Sequence, residues 1–386
     1  MSSSIGVARR VLVMKFASEF ILIYPLYTIM FGERGGVNAA GVGTILALGY
    51  VFSVLFEIPT GIVADKVPRK YVLIASIICK ILALSTWLYL PHFRGFLLAA
   101  LLFALSNALE SGALQAYLYG TLGTENKSRF NRVWARVSAM VMISYTSAYI
   151  ASYFVGVHYT VLIGWSIVSC AAALLLCVSL PLDEKTKPFT AARPKVFKSA
   201  LQTIRLSADL KKLLISGVIA VAVAEVCVEY AALYYHQVGV ATKEVALVLA
   251  FGNILGALSF WKLHHYEVFF NKHKLKLLLF TLALFAASFA GGTIVACAGL
   301  LLFLRFVRLL QVQYEANVQH LASEDARATI ASIGAFISKL LTAAMIALVG
   351  AFATENNVVQ PLRLAFLAAG AMYCMVQLYD ARRETA

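Results

Sequence analysis

Residues 39–90 read AAGVGTILALGYVFSVLFEIPTGIVADKVPRKYVLIASIICKILALSTWLYL, two long apolar runs joined by a short basic turn. A helix needs about 20 mostly apolar residues to cross the ~30 Å hydrocarbon layer, and each run is long enough. A β-barrel would instead show alternating segments of about ten residues, which neither run does. The stretch therefore reads as two membrane-spanning helices with a tight turn on one face.

The rest of the chain repeats this pattern. Of its 386 residues, 61% are hydrophobic and 13% charged, with a mean hydropathy of +0.81. Soluble domains are about 45–50% apolar and about 25% charged, so a two-domain soluble enzyme and a disordered chain are both excluded. The apolar runs predict twelve spans, at 11–31, 39–64, 71–90, 95–121, 133–157 and 159–180, then at 213–236, 244–262, 275–291, 293–318, 329–352 and 358–379. The fold class is an all-α polytopic membrane protein. Its organisation is an N-terminal six-helix bundle (1–180), a basic cytoplasmic linker (181–212) and a C-terminal six-helix bundle (213–386). The charge ahead of the first span, with no small-residue cleavage site, marks a spanning helix and not a removable signal.

The net charge of +14 lies in short clusters between spans, not on a basic face, so it sets orientation and does not point to nucleic acid. With the N-terminus inside, 24 of the 33 Lys and Arg fall in inside loops and 4 (Arg34, Arg94, Lys243, Arg363) in outside loops. Both termini are then cytoplasmic, in a multi-pass protein of the cell (inner) membrane. The six cysteines lie in apolar runs without CxxC spacing and read as free thiols, neither disulfides nor a metal site. The halves resemble each other: Glu19 and Tyr24 recur as Glu225 and Tyr230, and Arg129 as Arg327. Parallel repeats of this kind mark a transporter with its site at their interface.

The turn between the second and third spans, Glu57-Ile-Pro-Thr-Gly61-Ile-Val-Ala-Asp65-Lys-Val-Pro-Arg69-Lys70, resembles the signature loop of the major facilitator superfamily. Gly61 would allow close helix approach, Asp65 could accept from a neighbouring helix N-terminus, and Arg69 and Lys70 supply cations. The resemblance implies a twelve-helix fold of two pseudo-symmetric halves, with Asp65 latching onto the eleventh helix near Arg327. Pro68 replaces the family's usual glycine. Ser111–Leu122 and Arg327–Ser332 resemble one bacterial branch, although Gly120 stands where those relatives often carry aspartate.

Ionisable residues at membrane depth are functional candidates. Glu19, Glu110, Glu225 and Glu229 are candidates for proton coupling. Glu225 and Glu229, one turn apart, resist simultaneous ionisation. The alternative is static pairing, Glu19 with Lys15 and Glu110 with Arg308. Arg305 and Arg308 are candidates for holding an anionic substrate, with Lys80 and Lys339 as further cations. Tyr24, Tyr145, Tyr149 and Tyr230 are candidates to line the cavity, joined by Tyr27, Tyr153 and Tyr234. Glu57 and Glu315, nearer the cytoplasmic ends, fall with Gly61, Asp65, Arg69, Lys70 and Arg327 in the gate. Gly252-x-x-x-Gly256 reads as a close-packing face and His264-His265 as a solvated pair.

No phosphate-binding loop, nucleophile constellation, metal cluster or cofactor motif is visible, so the chain reads as a carrier and not an enzyme. The expected function is proton-coupled secondary transport by a monomer of a small organic compound, anionic or amphipathic, with export favoured. Exporters of the superfamily usually carry a Gly-Pro-rich motif in the fifth helix, which Ser138–Tyr145 lacks. The alternatives are a proton-coupled importer of a carboxylate-bearing solute such as a siderophore or metabolite, and a non-transporting sensor or scaffold.

Overall fold

In the computed structural model the described residues are 2–122, 127–182, 205, 207–287, 291–321, 324–353 and 357–371 except 366 and 369. Side chains are described for these except at 2–5, 65, 122, 127–129, 208, 209, 212, 259–272, 274, 275, 285, 315–317, 319–321 and 324–328. Most of the expected linker, and the side chains of Asp65, Arg129, His264, His265, Glu315 and Arg327, thus lie outside the described residues.

Among the described residues the helices run in the order α1 (Ser2–Glu19), α2 (Tyr27–Glu33), α3 (Ala39–Lys66), α4 (Arg69–Tyr89), α5 (Phe93–Leu122), α6 (Lys127–Val155), α7 (Tyr159–Val178), α8 (Ala208–Gln237), α9 (Thr242–Ala287), α10 (Thr293–Leu321) and α11 (Glu324–Ala351). Residues 359–365 are helical again. Among the described residues, eight helices are long and apolar enough to cross a membrane. By internal packing the chain divides into two compact units: Met1–Val37, Leu48–Phe189 and Ala241–Ile254 in one, Asn38–Ala47, Thr190–Val240 and Leu255–Ala386 in the other.

Two elements differ from the sequence expectation. The first span is not one helix, because α1 stops at Glu19 and residues 20–26, including Pro25, form turns before α2. Proline has no N–H and its ring clashes with the carbonyl four residues back, so the break falls just ahead of it. The eighth and ninth spans, expected to flank a loop, lie in the single helix α9. No glycine or proline occurs between Gly256 and Gly291, so the basic segment 262–276 contains nothing to stop a helix.

In the first unit, Val11 and Met14 of α1, Val72 and Ile77 of α4, Leu114 and Tyr117 of α5, Val137 of α6 and Cys177 of α7 form one buried core. The α4–α5 seam is fixed by two buried serines: Ser76 donates to the Ser106 carbonyl at 2.9 Å, and Ser106 donates back to the Ser76 carbonyl at 2.8 Å. Small hydroxyl side chains allow close approach and hydrogen-bond across the interface, a favoured solution where lipid gives helices no hydrophobic reason to associate. Arg34, just past α2, donates to the Leu88 carbonyl at 2.8 Å, where the C-terminal end of α4 favours a cation.

In the second unit, Ser207 caps α8 by accepting from the Leu210 N–H at 3.2 Å. Gly217 of α8 and Gly334 of α11 flank Tyr314 of α10, and a Cβ at either would collide with its ring or hydroxyl. Gly43 and Gly350 meet backbone to backbone, a Cβ on Gly350 lying 3.0 Å from Gly43 Cα. Beside them Tyr230 donates to the Ile346 carbonyl at 3.0 Å.

Candidate functional site

The break after Glu19 leaves the last four carbonyls of α1 without partners inside the helix. Nine residues separate exposed Arg10 from Glu19, about 14 Å at ~1.5 Å per residue; with Arg10 at the edge of a ~30 Å layer, this end would lie near its middle. Irregular backbone at such a depth is tolerated only where its polar groups are buried in protein or line a water-filled cavity, and here protein groups meet them. Ser144 of α6 donates to the Phe16 carbonyl at 2.7 Å, and Ser169 of α7 to that of Ala17 at 2.8 Å. Lys80 of α4 reaches the Ser18 carbonyl at 3.4 Å, and the Ile21 N–H reaches that of Glu19 at 2.9 Å. Three neighbouring helices thus cap one interrupted helix.

The same place gathers four charges. Glu19 pairs with Lys15 at 2.5 Å and with Lys80 at 2.9 Å, and Tyr145 donates to its other oxygen at 2.9 Å. Glu110 of α5 pairs with Lys15 and lies 3.9 Å from Lys80. Two cations face two carboxylates, so the cluster is formally neutral. Both lysines lie at the carboxyl end of α1, where the helix dipole favours positive charge. Lys80 is 1% exposed, and removing either partner of such a pair would strand a charge in a low-dielectric site. Glu110 is the more open acid and belongs to this cluster, where the sequence suggested Arg308 as its partner.

Aromatic rings continue from the cluster. Tyr145 lies 6.2 Å from Tyr24 and 6.5 Å from Tyr149, and Tyr24 lies 6.1 Å from Phe103, all centroid to centroid. All four are half-buried. A wall of this kind offers apolar faces with hydroxyl edges beside charged groups. Further along, Tyr27 stacks on Trp87, and Lys243 lies over the Tyr153 ring at 4.5 Å.

In the second unit, Arg308 donates to Glu225 at 3.0 Å and to Gln311 at 2.7 Å. Glu229, one turn beyond Glu225, is half-buried. Arg305 follows a different course. Its guanidinium lies against Gly256 of α9, where a Cβ would collide with it, and its buried Nε has no hydrogen-bond partner among the described residues. Gly256, expected in a helix-packing face, instead makes room for this arginine. Tyr230 is fully buried, and Tyr234 lies under Arg363, 5.8 Å from ring to guanidinium. Arg363, expected in an outside loop, is 8% exposed.

At the Gly61–Lys70 turn, Pro68 caps α4 in an extended conformation (φ −52°, ψ 130°). Proline fixes φ near this value and is tolerated at a helix start, so the turn closes without the expected glycine. Arg69 reaches the Ala116 carbonyl of α5 at 3.5 Å. Gly61 is exposed, and among the described residues nothing lies within 4 Å of a Cβ built on it. Lys70 is half-buried and Glu57 exposed.

Sequence reasoning picked out Glu19, Glu110 and Tyr145, which the structure brings together, but left Ser144 and Ser169 unremarked. Their signal was faint: two lone hydroxyls in apolar helices, opposite a span carrying Pro25. Arg363 falls five residues inside the expected 358–379 span although it is counted with the outside loop, and hydropathy does not register its burial.

The sequence profile of the Major Facilitator Superfamily matches residues 12–348. No individually curated protein matches the sequence. Among solved structures, a point mutant of the nucleoside transporter NupG superposes with a TM-score of 0.77 at 13% identity, covering 96% of this chain and 98% of that one. A bacterial homolog of the human lysosomal transporter Spinster, inward-facing and unoccupied, gives 0.70 at 15% identity over 97% and 96%. A D-xylose-proton symporter gives 0.69 at 12% identity, with 96% of each chain covered. At these identities the likeness is one of fold.

Proposed function

The chain belongs to the major facilitator superfamily, and from that premise we propose that it is a proton-coupled secondary active transporter working by alternating access. The observation that carries the coupling is the neutral four-charge cluster at the break after Glu19. A proton taken up by Glu110, the more open acid, would leave Lys15 with one partner fewer and the cluster with a net positive charge. Such a cluster has two electrostatic states, which a coupling site needs. One charge moved through 100 mV is worth about 2.3 kcal/mol, so a proton gradient is sufficient to drive transport. The Arg308–Glu225 pair with Glu229 is a second candidate of the same kind.

The cargo is a small organic compound. Export is the direction expected from the sequence. The cluster also supports import: a site that becomes positive on protonation favours a proton and an anion travelling together. The sign of flux decides between them. Proteoliposomes loaded with a bacterial metabolite extract and held under an acid-outside gradient would be analysed by mass spectrometry against protein-free liposomes. The expected result is gradient-dependent gain or loss of a small set of compounds, absent in Glu110→Gln. Identical contents with and without protein would rule out carriage and leave the sensor or scaffold alternative.

A further inference from the structure

Arg305 lies twelve residues into the 29-residue α10, about 18 Å from its start at ~1.5 Å per residue. A charge at the bilayer centre costs about 2.5–3.5 kcal/mol on insertion scales. The other deep cations described above have partners: Lys15 and Lys80 hold Glu19 and Glu110, and Arg308 holds Glu225 and Gln311. Arg305 has no carboxylate partner among the described residues, and its buried Nε is unpaired. It cannot relieve this by losing its proton, because a guanidinium stays charged. Arg308, one turn away, adds like-sign repulsion. The chain nevertheless makes space for the group, since Gly256 is a buried glycine whose Cβ would take the place of the guanidinium.

We infer that Arg305, seated on Gly256, is the binding residue for a single anionic group, carboxylate or phosphate, carried by the transported compound. The inference rests on the carrier reading and narrows its cargo. An oxyanion arriving at the guanidinium would supply the missing counter-charge, and a planar fork can hold two of its oxygens at once. The site would then discriminate by charge, because a neutral analogue leaves the arginine uncompensated.

The test uses the full chain in phosphatidylcholine nanodiscs, with no anionic lipid and no gradient. Thermal stability would be followed against benzoate, phenyl phosphate and neutral benzamide at constant ionic strength. Wild type should show a saturable rise with at least one of the two anions and none with benzamide, and the stronger anion distinguishes carboxylate from phosphate. Arg305→Gln should weaken the anion response about tenfold or more. Without anion it should melt above wild type, because an unpaired charge has gone; a purely structural arginine would make it melt lower. Gly256→Ala, which displaces only the flexible end of Arg305, should weaken the anion response without lowering the melting point. A wild type unresponsive to both anions, an equal response to benzamide, or an Arg305→Gln variant that keeps the response or melts lower would overturn the assignment. Anion binding in a protein that moves nothing would overturn the carrier reading and leave the anion site standing.

Discussion

Lys80 Nζ lies 2.9 Å from Glu19 Oε1 and 3.4 Å from the Ser18 carbonyl, so one buried ammonium neutralises a carboxylate and caps the helix that carries it. Removing this cation leaves both acceptors short. Lys80→Met should cost about 3–5 kcal/mol, the range for breaking a buried ion pair, read as a large fall in melting temperature in nanodiscs. Lys80→Met with Glu19→Gln should recover part of that loss. A double variant no more stable than Lys80→Met would mean the two side chains are not coupled.

The two acids of the cluster should respond differently to neutralisation. Glu19 holds Lys15, Lys80 and Tyr145, while Glu110 holds Lys15 closely and Lys80 only at 3.9 Å. Glu19→Gln is therefore expected to impair folding, seen as reduced monodisperse yield. Glu110→Gln should fold and lose gradient-driven flux. Full flux in a well-folded Glu110→Gln protein would remove this acid from the coupling site.

The Arg308–Glu225 pair is about a quarter to a third exposed, at 25% and 30% of the side chains. Screening limits such pairs to about 1 kcal/mol or less, so Glu225→Gln should hardly change the melting temperature. A loss of flux in that variant would then report on transport and not on stability.

Two glycines should behave in opposite ways. Gly217→Ala drives a methyl into the Tyr314 ring, and overpacking of this sort costs about 1–3 kcal/mol. Gly61→Ala within α3, where no described atom lies within 4 Å of the added methyl, should be neutral or stabilising by up to about 1 kcal/mol from helix propensity. Melting curves of the two variants decide the point, and a marked loss in Gly61→Ala would show a contact at the turn.

Much of this was legible in the sequence because hydrophobic run length depends on composition alone. The all-helical class and the superfamily could both be read from the apolar runs and the Glu57–Lys70 turn. The break at Glu19 was not, since Pro25 signals a kink but leaves open whether the chain bends or unwinds. That choice depends on whether other helices can satisfy the freed carbonyls, and Ser144 and Ser169 lie more than a hundred residues away. The continuity of α9 was missed for the opposite reason: clustered lysines suggest a loop by polarity, while lysine is a good helix former. Partner choice was the least legible, since Glu110 could meet Lys15 or Arg308 and only packing distinguishes them.

The capped end of α1 also bears on how the protein is made. Its first span leaves the ribosome before α4, α6 and α7, yet the groups that seal its interrupted backbone belong to those later segments. Until they enter the bilayer, residues 16–26 have no stable arrangement in lipid and need provisional partners, from water, headgroups or the insertion machinery. The break after Glu19 thus acquires its final partners only after Lys80, Ser144 and Ser169 are in place, and a truncation ending before Ser144 would strand it.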